Sequence, residues 1–177
     1  TSPKNFIENA AVSAFRAFES TRYHIKDGNN PFTCDGKVLT LSKKFIKKIK
    51  FPKNYKDMGN VDTFLYFACI VNEFKFVHVK NAIVRYRSPS TLSDYINWTI
   101  RNNRDFYVLR KIFGHIVEIE FRKPQLIYNY FKICQLLKNP FGAGIIFGIN
   151  FYAWLKARLT PEHFNRKWDL VKSSKNL

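Results

Sequence analysis

The sequence predicts a mixed α/β chain, an α+β arrangement in which short strands give way to helices. Residues Lys4 to His24 place apolar side chains at the spacing of one face of an amphipathic helix. The stretches FKFVHV (74–79) and AIVRYR (82–87) are short and rich in aromatic and β-branched residues, which is typical of strands. A long helical pattern then begins at Thr91. This order of elements is the reason for the α+β assignment.

The first half of the chain is predicted to contain a turn, a strand and two helices. Gly, Asn and Pro residues in DGNNPF (27–32) favour turn dihedral angles and end the first helix. GKVLTLS (36–42) is predicted as a strand, and KKFIKKIKF (43–51) as a basic turn or short helix that Pro52 ends. Asn60 to Asn72 is predicted as a buried helix.

The second half is predicted to be helical. TLSD offers a capping box, with Thr91 three residues before Asp94, and starts a helix that runs toward Phe113. After Lys123 the composition changes, and the aromatic-rich stretch 124–139 has the pattern of an amphipathic helix with a proline in its first turn. We therefore divide the chain into residues 1–123 and a helical tail, 124–177.

The apolar part of the tail, Phe141 to Leu155, allows two arrangements. It is shorter than the roughly 20 residues that span a bilayer. Trp154, Lys156 and Arg158 at its end suit the level of lipid headgroups, which favours a helix lying in the membrane interface. A buried hairpin of core helices fits the same pattern, and both arrangements stay open.

The charge of the chain indicates anionic partners. Thirty Lys and Arg residues against 13 Asp and Glu give a formal net charge of +17, which points to nucleic acid, nucleotide phosphates or acidic lipid headgroups. The stretch KKFIKKIKFPKNYK (43–56) interleaves lysines with aromatic and aliphatic residues. Without a recognisable nucleic-acid-binding motif, however, no specific nucleic acid partner is expected. An apolar content of 46% excludes global disorder.

Several kinds of site have no signature in the sequence. Cys34, Cys69 and Cys134 are widely separated, which predicts neither a disulfide framework nor a zinc site and favours a reducing compartment. The four histidines are scattered, and no phosphate-binding glycine loop occurs. The chain begins TSPKNF without an initiator Met or a signal peptide, so we expect Thr1 to be an internal residue of a longer gene product.

Asp62 is the main candidate for chemistry. It opens the apolar run GNVDTFLYFACIVNEFKF in a chain with few acids. By itself, an acid in the first turn of a helix is expected to stabilise the helix N-terminus. The alternative is a general base, and the neighbouring sequence favours it.

From Cys34 to Arg104 the order of features resembles the carboxy-terminal half of the catalytic domain of family 2 glycosyltransferases, inverting enzymes with the GT-A fold. The matching pieces are CDGKVLTLSKKFI, the Phe-Pro pair at 51–52, GNVDTFLYF, FKFVHVKNAIVRYRSPSTL and WTIRN. The resemblance implies that residues 1–123 form the acceptor-side part of such a domain. The specificity lies in the ordered set of pieces.

The resemblance also assigns roles to residues. Asp62 falls on the general base, and Arg101, with Arg104 one turn later, falls near the diphosphate of the donor. Trp98 stands at the same motif, where the family usually has glutamine, and Asn102 stands where it has tryptophan. Asp35 and Gly36 fall on the acceptor side.

The function that the resemblance implies is transfer of a sugar from a nucleotide sugar to a glycan or lipid-linked acceptor in cell-surface polysaccharide synthesis. The expected location is cytoplasmic, peripheral at the inner face of the cell membrane, on an anionic membrane surface. A divalent ion, Mg²⁺ or Mn²⁺, is expected in the complete enzyme through a D-x-D motif. No D-x-D occurs in these 177 residues, so this fragment is expected to bind no metal and to be inactive alone.

A non-enzymatic function is the alternative. A basic, aromatic module could bind nucleic acid or an anionic membrane through Lys43 to Lys56.

Overall fold

All of the regular secondary structure in the described part of the chain is helical. A computed structural model describes residues 5–6, 9, 22–34, 38–52, 60–82, 91–122 and 140–159. A 3-10 helix, Ile25–Gly28, is followed by α1, Lys43–Lys48; α2, Val61–Val71; α3, Leu92–Phe113; α4, 115–122; and α5, Pro140–Leu159.

The short basic helix α1 forms at the predicted place. The Ser42 hydroxyl accepts a hydrogen bond from the Phe45 N–H at 3.2 Å and so caps its first turn. Phe45 is buried, and its ring meets the Phe74 ring edge-on at a centroid distance of 5.4 Å. All of the lysines in and just after α1 stay exposed: Lys43, Lys44, Lys47, Lys48 and Lys50. The prediction of a basic short helix is confirmed.

The predicted helix from Asn60 to Asn72 is also confirmed, and its end has a specific cause. The Phe74 N–H bonds the Cys69 carbonyl and the Glu73 N–H bonds the Ile70 carbonyl, both at 2.9 Å. This is the Schellman pattern, which needs a residue in the left-handed region. Glu73 takes that conformation, with φ 61°. Glycine is the usual residue there, so α2 ends on a strained glutamate.

Helix α3 begins and ends where the sequence predicts. The Thr91 hydroxyl accepts a hydrogen bond from the Asp94 N–H at 3.2 Å, which confirms Thr91 as the N-cap residue. At the other end the Gly114 N–H bonds the Arg110 carbonyl at 2.8 Å. Gly114 has φ 66°, so it turns the chain from α3 into α4 without a side-chain penalty.

The core surrounds α2. The buried residues of α2 are Phe64, Tyr66, Phe67, Ala68 and Cys69. Leu109 of α3 and Val117 of α4 belong to the same cluster. The Phe67 ring lies between those of Phe113 and Phe121, each at 5.7 Å between centroids. Burial of each phenylalanine stabilises the fold by about 1.5–3 kcal/mol. Because α2 supplies most of the buried side chains of this cluster, the other helices pack around it.

A second interface joins the first half of α3 to α5. Tyr95 and Ile146 form one buried cluster, and Ile100 packs with Ala153 and Ala157 in another. Both alanines are fully buried, and their small side chains let the two helices approach closely. Among the helices that the structure describes, none combines the length and apolar character needed to cross a bilayer.

The α/β prediction is wrong, because the described residues contain no strand. Residues 38–42 and 74–79, taken as strands from their composition, have neither helical nor strand hydrogen bonding. Along 74–79 exposure alternates with a period of two, as in an extended chain. The local pattern is therefore present, but a strand also needs a partner backbone, and none pairs with these segments in the described ranges.

The predicted resemblance to a GT-A glycosyltransferase domain is wrong for the same reason as the α/β prediction. That fold is organised around a sheet, and the helices described here surround another helix instead. Most of Lys4 to His24, most of the predicted strand 82–87, and the tail helix 124–139 lie outside the described residues.

Replacing Glu73 with glycine should stabilise the protein. Glu73→Gly removes the Cβ that makes the left-handed conformation unfavourable, so the free energy of unfolding should rise by roughly 0.5–1 kcal/mol. Urea unfolding followed by circular dichroism measures the change. Glu73→Ala keeps the Cβ and is the matched control, for which no gain is expected. An equal gain in both variants would show that loss of the Glu73 charge, and not loss of its Cβ, causes the stabilisation.

Candidate functional site

One hydrogen bond joins the start of α2 to the middle of α3. Asn60 is the N-cap residue of α2, but its side chain does not cap the helix. The Asn60 Nδ2 instead donates to the Asn102 Oδ1 at 3.0 Å. Asp62 lies two residues after Asn60, and Arg101 directly precedes Asn102. The structure therefore brings together the two parts of the chain in which site residues were predicted.

Asp62 is held in the first turn of α2. Its Oδ1 accepts a hydrogen bond from the Thr63 N–H at 2.8 Å, and the side chain is half-buried. Its carbonyl oxygen accepts one from the Cys34 thiol at 3.0 Å. This position is the one expected of an acid that stabilises a helix N-terminus. It also leaves a carboxylate at the edge of the core, where a base for an acceptor hydroxyl could lie.

Arg101 and Arg104 lie about one turn apart on α3. Both side chains are half-buried, and their Nε atoms are shielded from solvent. Half-buried guanidinium groups are screened less than exposed ones, and their planar fork matches phosphate oxygens. The pair can thus attract a phosphorylated ligand more strongly than a lysine on the surface.

Asp105 is a further charged residue of this site that the sequence prediction did not include. It is 3% exposed and lies one turn after Arg101. Residues four apart on a helix share a face, so the buried Asp105 carboxylate can offset part of the charge of Arg101. The signal was present in the sequence, since Asp105 is the only acid of α3 beyond its first turn.

The remaining predicted site residues are Trp98, Asp35 and Gly36. Trp98 packs with Tyr95, Ile146 and Ile149, at 5.9 Å between the Trp98 and Tyr95 ring centroids. It therefore belongs to the α3–α5 interface, one turn before Arg101. Asp35 and Gly36 lie outside the described residues. The residue before them, Cys34, is the one whose thiol bonds the Asp62 carbonyl.

A second polar region surrounds the turn at 27–32. Asn30 is fully buried, and its Nδ2 donates to the carbonyls of Arg22 and Ile25 at 2.7 and 2.9 Å. Lys26 and Asp27 are in the left-handed region, with φ 50° and 53°. The sequence prediction of a turn here is confirmed, and the buried asparagine is the residue that fixes its shape.

This turn is tied to the helices by a charged contact. The Lys26 ammonium lies 2.7 Å from Glu120 of α4, and the Tyr66 hydroxyl donates to the same carboxylate at 2.8 Å. Burial and the hydrogen bond to Glu120 raise the pKa of Tyr66 well above its usual range, so the phenol stays protonated. The network is therefore structural at neutral pH.

A groove of about 440 Å³ lies between residues 38–42 and 74–79. Arg22 and His78 line it, with the buried cysteines Cys34 and Cys69. Burial raises the pKa of the Cys69 thiol, so this cysteine is not a thiolate at neutral pH. Burial and the charges of Arg22 and Lys80 lower the pKa of His78, so its imidazole is neutral. Cys69 is thus not an activated nucleophile in this groove.

Metal ligands do not converge in the described ranges. No three His, Cys, Asp or Glu side chains there form a group that could hold a metal ion. Searches of protein-family models, of curated proteins and of solved structures found no significant match to this chain. The proposed site consequently rests on its own residues.

The contact between Asn60 and Asn102 should show energetic coupling. Asn102→Ala should lower the free energy of unfolding by roughly 0.5–1.5 kcal/mol, since it removes a half-buried hydrogen bond. In the Asn102→Ala background, Asn60→Ala should lower the free energy of unfolding by less than it does in the parent protein. A double-mutant cycle measured by urea unfolding gives this difference. Asn97→Ala, at an exposed position of the same helix, should change little. Additive effects of the two site variants would contradict the contact.

Proposed function

We propose that the junction of α2 and α3 acts in the transfer of a sugar from a nucleotide sugar to a hydroxyl group, as one part of a longer glycosyltransferase. The observation that supports this proposal is the Asn60–Asn102 hydrogen bond, which joins the start of α2, where Asp62 lies, to the part of α3 that carries Arg101 and Arg104. Such a transfer needs a base for the acceptor and positive charge for the departing phosphate. The proposal rests on these side chains and not on the GT-A fold.

In the proposed step Asp62 accepts the proton of the acceptor hydroxyl. The acceptor oxygen forms a bond to the anomeric carbon, and the bond from that carbon to the phosphate oxygen breaks. The electron pair leaves with the diphosphate, whose added negative charge Arg101 and Arg104 stabilise. A glycan or a lipid-linked sugar is the acceptor class that we propose.

The electrostatic setting supports these roles. Helix N-terminal N–H groups favour negative charge, so the start of α2 attracts an anionic donor as well as holding Asp62. The two arginines are partly withdrawn from water, which strengthens their interaction with phosphate oxygens. A divalent ion, Mg²⁺ or Mn²⁺, is proposed only for the complete enzyme.

Replacing the carboxylate tests the base. In the complete enzyme, Asp62→Asn should lower sugar transfer by roughly 10²- to 10⁴-fold, because the amide cannot take the acceptor proton. The amide oxygen can still accept the Thr63 N–H, so thermal stability should stay close to that of the parent. Release of the nucleotide diphosphate measures transfer.

The matched control is Asp94→Asn, which changes the first-turn acid of α3 in the same way. It should leave transfer unchanged. Normal transfer by the Asp62 variant at normal stability would return Asp62 to a purely structural role.

A second function, peripheral binding to an anionic membrane, is favoured by the outward face of α5. One side of the helix is buried on α3, but most of its large apolar side chains are exposed: Ile145, Phe147, Phe151, Tyr152, Trp154, Leu155 and Leu159. No acid occurs in α5. An exposed apolar helix face of this size marks an interaction surface.

The cations of α5 support a lipid partner. Lys156 lies over the Tyr152 ring at 5.9 Å, and Arg158 over the Trp154 ring at 5.5 Å. Aromatic rings with adjoining cations suit the boundary between acyl chains and phosphate headgroups. We propose that α5 lies in this boundary. A location at the cytoplasmic face of the cell membrane stays a prediction.

Removing apolar area from α5 should weaken vesicle binding. The double variant Phe147→Ser, Phe151→Ser should sediment less with vesicles that contain phosphatidylserine, because interfacial binding depends on buried apolar area. Parent protein should bind neutral vesicles less than anionic ones, and high salt should release part of it.

Ile119→Ser is the control, since Ile119 is 51% exposed on α4. It should sediment like the parent. Equal sedimentation of all three proteins would contradict a role of α5 in membrane binding.

A further inference from the structure

The groove between residues 38–42 and 74–79 has open backbone groups on both sides. In the described part of the chain, the backbone N–H and C=O groups of 38–41 and of 75–77 form no hydrogen bond with protein. Exposed backbone of this kind is a template for pairing with another extended chain. The groove volume of about 440 Å³ lies within the range of protein ligand sites.

The floor of the groove suits apolar side chains. Leu39, Leu65 and Phe76 line it, and the Tyr66 ring meets the Phe76 ring edge-on at 5.1 Å. Exposure alternates along 74–79, with Phe74, Phe76 and His78 turned inward. A bound extended peptide could place every second side chain on this floor while its backbone pairs with one wall.

The groove carries positive charge without acidic side chains. Lys75 lines it and is exposed, and none of its lining residues is an Asp or Glu. Residues 38–42 also lead directly into α1, whose lysines stand exposed. Lys48 lies over the Phe74 ring at 5.6 Å, so a cation of α1 reaches the opposite wall. Charge complementarity therefore favours an acidic occupant.

We propose that this groove binds an extended acidic segment of a partner protein by β-strand addition. The backbone of the segment pairs with residues 38–41 or 75–77, its apolar side chains rest on the floor, and its carboxylates face Lys75 and the lysines of α1. The proposal does not rest on sugar transfer, because it uses neither Asp62 nor the arginines of α3.

The test uses a labelled eight-residue peptide of alternating glutamate and valine, with the full chain, in fluorescence polarisation. Saturable binding is expected. The same peptide with every second backbone nitrogen methylated should bind at least roughly tenfold more weakly, since methylation removes donors for strand pairing. A peptide with lysine in place of glutamate should not bind.

Variants of the chain locate the site. Lys43→Glu with Lys75→Glu should weaken binding roughly tenfold, whereas Lys111→Glu, at an exposed position of α3, should leave it unchanged. Equal binding of the methylated peptide would overturn strand addition. Absence of binding, which is expected if a segment of the chain itself fills the groove, would overturn the proposal. Displacement of the peptide by a thymidine oligonucleotide at equal concentration would also overturn it, in favour of nucleic acid.

Discussion

Burial of α2 is the constraint on which the rest of the described structure depends. The helix has only 11 residues, yet two phenylalanines, a tyrosine, an alanine and a cysteine on it are buried. These side chains point to more than one side, so a single neighbouring helix cannot cover them. Helices α1, α3 and α4 each contribute to the cover, through Phe45, Leu109 and Val117. The site at the start of α2 is a consequence, since covering the helix brings α3 alongside it.

The excess of positive charge is distributed over surfaces with different surroundings. The lysines of α1 are exposed and form no ion pair in the described ranges. Arg101 and Arg104 are half-buried beside a carboxylate-bearing helix, and Lys156 and Arg158 lie over aromatic rings. Screening by salt acts most on the first group and least on the second. The excess of positive charge thus supports three separate binding proposals, for an acidic peptide, for a donor phosphate and for anionic lipid.

Sequence reasoning succeeded where the cause of a structure is local. The Thr91 cap, the turn around Asn30 and the C-terminal end of α2 follow from hydrogen bonds between residues close in the chain. It failed for the strands, because residues 74–79 carry an extended pattern whose pairing depends on a distant backbone. The resemblance to a glycosyltransferase failed for the same reason, since it took order along the chain as evidence of a sheet.

For the candidate site, the sequence by itself determined the residue types: an acid at a helix start and two arginines one turn apart. Only the tertiary structure decided that the stretches carrying them meet, because the Asn60–Asn102 contact joins residues 42 positions apart. It likewise decided that Asp105 is buried and that α5 turns its aromatic face outward, with Ala153 and Ala157 against α3. Spacing along a helix defines which residues share a face, whereas the neighbour that covers that face is set by packing between distant parts of the chain.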